Sequence, residues 1–529
     1  MSKVFYITTP LYYVNAPPHI GHSYTNIAAD CLTRYHRLKG EEVFLLTGTD
    51  EHGQKIEQAA ATAGMTPQQF TDQVVERFKA LWQLLSISYD DFIRTTEARH
   101  VRVVQACLVR LYEEQKLLRA TYQGWYCTPC ETFWTTEELA AVSTGETVPC
   151  PSCQRPLEAV KEDGWYLPLR AAQDWLRGFL KDHQTFVQPQ TRFNEIQGLL
   201  EQPLPEYLCI TRPRRRVGWG IPVPFSDQHV TYVWFDALIN YISAPGYAKE
   251  QERFARLWPA DVHLIGKDIL RHHAIYWPIV LHALEFSDEE IPRLIFAHGW
   301  WKVGEQKMSK SRGNIVDPYV VIQEVLNNQP FASDVYRYFL LREVPFGQDG
   351  VFSEDALLTR LNSDLANDLG NLVHRTLSMI ERYTQGKIPT PGPVGCAVED
   401  EPLRQEAVSL GKRLDAPMQN LNFAEALALV FQLVTHANRY IEVASPWQLA
   451  KASTPDRLKT VLAVLTDVIR VVAIALEPFL PMVSQAIWSQ LGLGESPRRL
   501  GDIERWPGFV SGQVLGKREV LFPRMEATP

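Results

Sequence analysis

His19-Ile20-Gly21-His22 and Lys307-Met308-Ser309-Lys310-Ser311 are the strings in this chain best suited to chemistry. Two imidazoles offer ring N–H donors, and two ammonium groups offer point charges for phosphate oxygens. The first string follows the apolar run Val4-Phe5-Tyr6-Ile7. It opens a stretch in which Tyr24, Ile27, Ala28, Cys31, Leu32 and Tyr35 recur at the three-and-four spacing of one helical face. His19 and His22 therefore belong at a helix N-terminus, where free N–H groups and the macrodipole favour an anion. The second string lies between Gly304 and Gly313 and reads as a flexible, twice-cationic loop able to grip a polyphosphate. Together they imply a nucleotide site that stabilises charge at phosphorus, with ATP as the nucleotide.

A second chemical signal is Cys127-x2-Cys130-x19-Cys150-x2-Cys153. Paired Cys-x-x-Cys units at this separation fit tetrahedral zinc, one ion per chain. Four thiolates leave no position for a reactive water, so the ion is structural. Cys31, Cys107, Cys209 and Cys396 have no such spacing and read as core thiols.

The elements that must position these groups follow from pattern. Residues 1–114 alternate strand and helix, with Glu42-Val43-Phe44-Leu45-Leu46 a buried strand and Thr47-Gly48-Thr49-Asp50-Glu51-His52-Gly53 the loop after it. Such alternation predicts an α/β fold with a doubly wound, Rossmann-like parallel sheet, whose ligands bind at strand carboxyl ends. Residues 115–229 interrupt it with the cysteine segment and irregular sequence rich in Trp and Pro. The sheet resumes over 230–300, with strands expected at Tyr232-Val233-Trp234-Phe235, Val262–Lys267 and Leu294–Ala297. Residues 301–356 hold the lysine loop. From 357 to 529 long helical segments predict a bundle, including Leu361–Arg382, Ala424–Glu442 and Arg457–Leu476.

The 529 residues carry a net charge of −8, so nucleic acid would have to be met by local basic patches and stacking. There is no run of eighteen apolar residues and no secretory or Arg-rich leader. The expectation is a cytoplasmic protein with no membrane span.

The order of HIGH, a four-cysteine insertion, KMSKS and a helical tail resembles the class I aminoacyl-tRNA synthetases, and among them the methionyl-tRNA synthetases. Pro10-Leu11-Tyr12-Tyr13-Val14-Asn15, Thr47-Gly48-Thr49-Asp50, Trp219-Gly220-Ile221-Pro222 and Val233-Trp234-Phe235-Asp236-Ala237 extend the likeness over nearly the whole chain. The resemblance implies methionyl-adenylate formation from L-methionine and ATP, then transfer to tRNA(Met). It implies that His19, Gly21 and His22, with Lys307, Ser309 and Lys310, bind ATP, the histidines and lysines being catalytic and Mg2+ bridging the phosphates. It implies a methionine pocket of Leu11, Tyr13, Trp234, Ala237, Leu238, Tyr241, Ile269 and His273, with Asp50 holding the amino group. Leu238 stands where some relatives carry proline, and Thr211-Arg212 where some carry Ser-Arg.

The same resemblance gives the helical domain the CAU anticodon, through Asn371 and Arg375, four apart on one helical face, and Trp447 as a stacking platform. Of the basic run Arg212-Pro213-Arg214-Arg215-Arg216, only Arg212 lies where the motif suggests the acceptor end of tRNA. The insertion is too small for the editing domain of the valine, isoleucine and leucine enzymes. A nucleotidyltransferase would not need the Asn/Arg/Trp set, and a non-catalytic tRNA-binding paralogue would lose a histidine or lysine. The chain ends near Pro529, which leads us to expect a monomer without the dimerising domain of longer relatives.

Overall fold

The computed structural model describes residues 3–526 except 137–138, 140–147, 152, 305, 308–314, 328, 392–398, 453 and 495–497. The chain divides into two compact units. One comprises Met1–Pro18, Val43–Ala80 and Tyr89–His298; the other comprises His19–Glu42, Leu81–Ser88 and Gly299–Pro529.

The first unit is built on a parallel sheet of seven strands. They are β1 (Phe5–Thr8), β2 (Tyr12–Tyr13), β3 (Val43–Asp50), β4 (Asp91–Arg94), β8 (Val187–Gln188), β13 (Val262–Gly266) and β14 (Ile295–His298). The order is β4-β3-β1-β13-β14-β8, with β2 continuing beyond β1 along the same side of β3. Chain order reverses at β1, flanked by β3 and β13, so the ligand crevice of such a sheet opens where β1 runs into Leu11 and Tyr13. The expected loop at Thr47–Asp50 is instead the end of β3. Pairing with β4 on one side and β2 on the other keeps it extended, and all eight residues of β3 are buried.

The insertion is more regular than its composition suggests. β5 (Leu118–Cys127) and β7 (Glu158–Pro168) pair antiparallel from Leu118↔Tyr166 to Tyr126↔Glu158. β6 (Thr132–Trp134) and β9 (Tyr207–Cys209) complete a four-stranded sheet. A third sheet joins β10 (Thr211–Pro213), β12 (Ser226–Thr231) and β11 (Pro222–Val223).

Tyr232–Phe235 does not form a strand. The extended segment ends with β12, and Tyr232 is the N-cap of a helix, Val233–Ser243. Every residue of that helix except Trp234 is buried, so it is enclosed by protein nearly all round. A short apolar run of this kind has no periodicity to tell helix from strand.

In the second unit, helices Ala332–Arg342, Asn371–Thr384, Asp400–Gln419, Phe423–Ala444 and Pro455–Leu476 form the bundle, and the expected helical segments hold. A small sheet joins β16 (Gln306–Lys307), β15 (Trp301–Val303) and β17 (Gly350–Phe352). Helix Ile20–Leu38 belongs to this unit and is fixed there by a buried ion pair. Asp30 lies 2.8 Å from Arg337 and accepts from Arg34 and from Ser88. Arg337 also donates to the Leu85, Pro478 and Phe479 carbonyls. Among the described residues no helix is long and apolar enough to cross a membrane.

Candidate active site

His19 is the N-cap of helix Ile20–Leu38, with extended backbone (φ −136°, ψ 174°). The Gly21 N–H donates to His19 Nδ1 at 3.1 Å, and the His19 N–H donates to His22 Nδ1 at 3.0 Å. The two rings stack with centroids 3.8 Å apart. A Cβ on Gly21 would meet His19 Cε1 at 2.9 Å, so only glycine lets the ring fold over the first turn. Because each Nδ1 accepts, the proton of each neutral ring lies on Nε2. This corrects the expectation of free backbone donors: the Ile20 N–H is taken by the Val316 carbonyl at 3.1 Å, and the Gly21 N–H by His19. What the turn presents to an anion is a pair of Nε2–H donors.

Lys307 closes β16, with Lys302 as its register partner on β15. Ser309 and Lys310 lie outside the described residues.

The pocket residues assemble in the first unit. On helix Val233–Ser243, Trp234, Ala237, Leu238 and Tyr241 fall at i, i+3, i+4 and i+7, which is one stripe. Trp234 stacks on His272 at 3.6 Å, and its Nε1 has no hydrogen-bond partner. The π-helical turn His272–Tyr276 carries His273. Its Nδ1 bonds the Ile269 carbonyl at 3.0 Å, so its Nε2 accepts from the Tyr241 hydroxyl at 2.8 Å. Burial lowers the His273 pKa to about 4, which keeps the ring neutral at neutral pH. Leu11, Leu238, Tyr241 and Ile269 share the apolar core of this unit, and Tyr13 and Trp234 pack on a smaller cluster beside it.

Asp50 ends β3 opposite Tyr13 of β2. Its carboxylate accepts the His52 N–H, while Oδ1 has no hydrogen-bond partner. Burial, with the Asp236 and Glu131 carboxylates nearby, raises its pKa well above the usual carboxylate range. A cation bound there would reverse that shift.

The four predicted cysteine sulfurs all lie within 4.8 Å of one another, and Cys127 Sγ is 3.5 Å from Cys153 Sγ. A tetrahedron with Zn–S bonds of about 2.3 Å has sulfurs roughly 3.8 Å apart, so the donor set fits the ion. Arg212 is not available to RNA. It is buried, donates to both Glu162 carboxylate oxygens at 2.7 and 2.9 Å, and lies over the Tyr126 and Phe133 rings. A guanidinium so deep is held by the carboxylate that neutralises it.

In the helical unit, Asn371 opens its helix and donates to Asn367 at 3.3 Å. Arg375, one turn on, pairs with Glu442 at 2.7 Å and lies 6.0 Å from the centre of the Trp447 ring. Trp447 is half-buried, in the first turn of helix Pro446–Lys451.

The family model of class I tRNA synthetases (M) matches residues 5–377, and that of the anticodon-binding domain of tRNA ligases matches residues 400–513. The chain belongs to the class I methionyl-tRNA synthetase family. Similar proteins of this family include the methionine–tRNA ligase of Clostridium acetobutylicum, 44% identical over 99% of this chain and 79% of that protein. That of Bacillus subtilis is 41% identical over 99% of this chain and 78% of its own length. The Mycobacterium tuberculosis methionyl-tRNA synthetase in complex with methionyl-adenylate matches with a TM-score of 0.92 at 37% identity, covering 99% of this chain and 100% of that one.

Against this family background, the residues that sequence reasoning missed are those acting through others. Asp236 bridges His52 and His100, each at 2.7 Å, and His100 continues to Ser243 at 2.8 Å. Burial works against the Asp236 charge, but the two histidines outweigh it and hold the carboxyl below its usual range. His52 and Asp236 stood inside quoted motifs, yet nothing local pairs residues 184 apart. Glu131 is the other omission.

Proposed function

We propose that this chain activates L-methionine with ATP and then charges tRNA(Met). The observation that carries the reading is the partnerless, buried Asp50 Oδ1, opposite Tyr13, in the unit that carries the aromatic stripe of helix Val233–Ser243. A zwitterionic amino acid with a flexible thioether suits such a place: its ammonium answers Asp50, and its side chain lies against Tyr13, Trp234, Tyr241 and His273. Ala237, Leu238, Leu11 and Ile269 complete the walls, and the neutral His273–Tyr241 pair offers only weak polarity to sulfur.

A methionine carboxylate oxygen attacks the α-phosphorus, and the bond to the bridging oxygen of pyrophosphate breaks. His19 and His22 donate their Nε2–H groups to the α-phosphate as charge develops there, with Gly21 allowing that fold of the rings. Lys307 and Lys310, with Ser309, hold the leaving pyrophosphate. Mg2+, when bound, neutralises its oxygens. The terminal ribose hydroxyl of tRNA then attacks the methionyl carbonyl, and AMP leaves.

In this reading residues 1–114 and 230–300 are the halves of the catalytic domain. The segment 115–229 is the insertion, holding one structural Zn2+ on Cys127, Cys130, Cys150 and Cys153. Residues 301–356 carry the lysine loop, and 357–529 read the CAU anticodon through Asn371, Arg375 and Trp447. The adjacency of Arg375 and Trp447 supports that last assignment. In the same reading the enzyme works as a monomer, and it works in the cytoplasm. The test is ATP–pyrophosphate exchange with each amino acid, followed by charging of CAU-bearing tRNA. Exchange with methionine far above valine, isoleucine and leucine is expected, and its absence would overturn the reading.

A further inference from the structure

Glu131 follows the last residue of the first Cys-x-x-Cys pair, yet its contacts reach away from the cysteines. It is buried, and its backbone adopts φ +50°, which turns the side chain out of the knuckle. Oε1 accepts the Tyr13 hydroxyl at 3.3 Å and the Lys55 backbone N–H at 3.1 Å, and Oε2 accepts the Tyr126 hydroxyl. The Glu131 carbonyl accepts the hydroxyl of Tyr232, the N-cap of helix Val233–Ser243. Lys55 adds a second tie: its ammonium donates to the Pro129 carbonyl at 3.3 Å and lies 5.4 Å from the centre of the Tyr13 ring. Gly53, at φ +107°, lets the turn between Asp50 and Lys55 close in here, since a Cβ would meet the Tyr13 hydroxyl at 2.6 Å.

The Glu131 carboxylate thus holds two separate parts of the proposed pocket, Tyr13 opposite Asp50 and the turn that follows Asp50, while its backbone carbonyl holds a third, the cap of the helix bearing Trp234, Ala237, Leu238 and Tyr241. A buried carboxylate is costly unless it is fully hydrogen-bonded, and here both oxygens are satisfied, Oε1 by Tyr13 and by the turn after Asp50, Oε2 by Tyr126. We infer that Glu131 is a positioning residue for the amino-acid pocket, through which the cysteine knuckle sets the affinity for methionine. The inference rests on the methionine-activating function proposed above.

The test compares Glu131→Ala, Glu131→Asp and Glu131→Gln with the parent in methionine-dependent exchange, varying methionine and ATP separately. Zinc content and melting temperature are measured on each protein. Glu131→Ala should raise the methionine KM about tenfold or more, the scale of one hydrogen bond to a charged acceptor, with the ATP KM and kcat near parental. Glu131→Gln retains an oxygen for Lys55 and Tyr13 and should recover most of the loss. Glu131→Asp, one methylene too short, should behave like alanine, and it carries the test if the alanine variant does not fold. In a Tyr13→Phe background the Glu131→Ala effect should shrink, because the two share a bond. An unchanged methionine KM in a folded, zinc-loaded variant would overturn the inference. So would a parallel rise in both KM values with a lower melting temperature, which marks a merely structural role. Lack of methionine-dependent exchange in the parent would instead strike the proposed function itself.

Discussion

Asp50→Asn separates the charge of the proposed ammonium site from its shape. Asparagine is nearly isosteric and keeps an oxygen for the His52 N–H, so the end of β3 should stay in place. What disappears is the negative charge at a position only 8% exposed. A hydrogen bond to a charged group contributes about 1.5–3 kcal/mol, and leaving a buried charge without its partner costs about 3–5 kcal/mol. Part of this is offset, because burial already makes the free carboxylate unfavourable and raises its pKa. A net loss of about 2–4 kcal/mol follows, or about 30- to 700-fold in methionine affinity. The assay is pyrophosphate exchange over a methionine series at saturating ATP, with a melting curve on the same sample. The pH profile adds a signed check. The ammonium binds the ionised carboxylate, so the methionine KM of the parent should fall as pH rises through the raised Asp50 pKa, and the variant should lose that dependence. His273, at about 4, is neutral on the upper side of that range and adds no slope there. A methionine KM within about threefold of the parent, with pH dependence intact, would refute the assignment of Asp50.

His22→Ala should cut kcat for adenylate formation by the equivalent of about 2–4 kcal/mol and leave methionine affinity near parental, because its Nε2–H acts on charge present only in the transition state. Single-turnover adenylate formation checks this, and an equal rate would exclude His22 as donor. Cys127→Ser should lower zinc content below one per chain and, through the Glu131 contacts, raise the methionine KM as well as weaken tRNA charging; metal analysis beside exchange kinetics decides it. Trp447→Ala should reduce charging of CAU-bearing tRNA by the about 1–3 kcal/mol of one base–aromatic stack, with exchange unchanged. A parallel fall in exchange would show that Trp447 serves folding.

Much of the layout was legible because it is written in local periodicity. The three-and-four spacing after Ser23 predicts helix Ile20–Leu38, and the same period marks the bundle helices Phe423–Ala444 and Pro455–Leu476. Alternation of strand and helix implied the parallel sheet that the structure contains. The four cysteines announce themselves by spacing, since two ligands on one turn must lie close together, and their sulfurs do converge.

Pairings between distant residues were not legible. β5 and β7 make a long antiparallel ladder whose first partners, Leu118 and Tyr166, are far apart in sequence, so the insertion read as irregular. The run at Tyr232–Phe235 has strand-like composition, and its helical state follows from burial on nearly every side. Arg212 looked like a basic contact for RNA until the fold brought Glu162 to it. The residue types of the pocket were fixed by the chain alone. The unpaired oxygen of Asp50, the acceptor state of both His19 and His22 Nδ1 atoms, and the hold of Glu131 on Tyr13 exist only once separate segments meet, because hydrogen bonds and desolvation depend on which groups share space and not on their order in the chain.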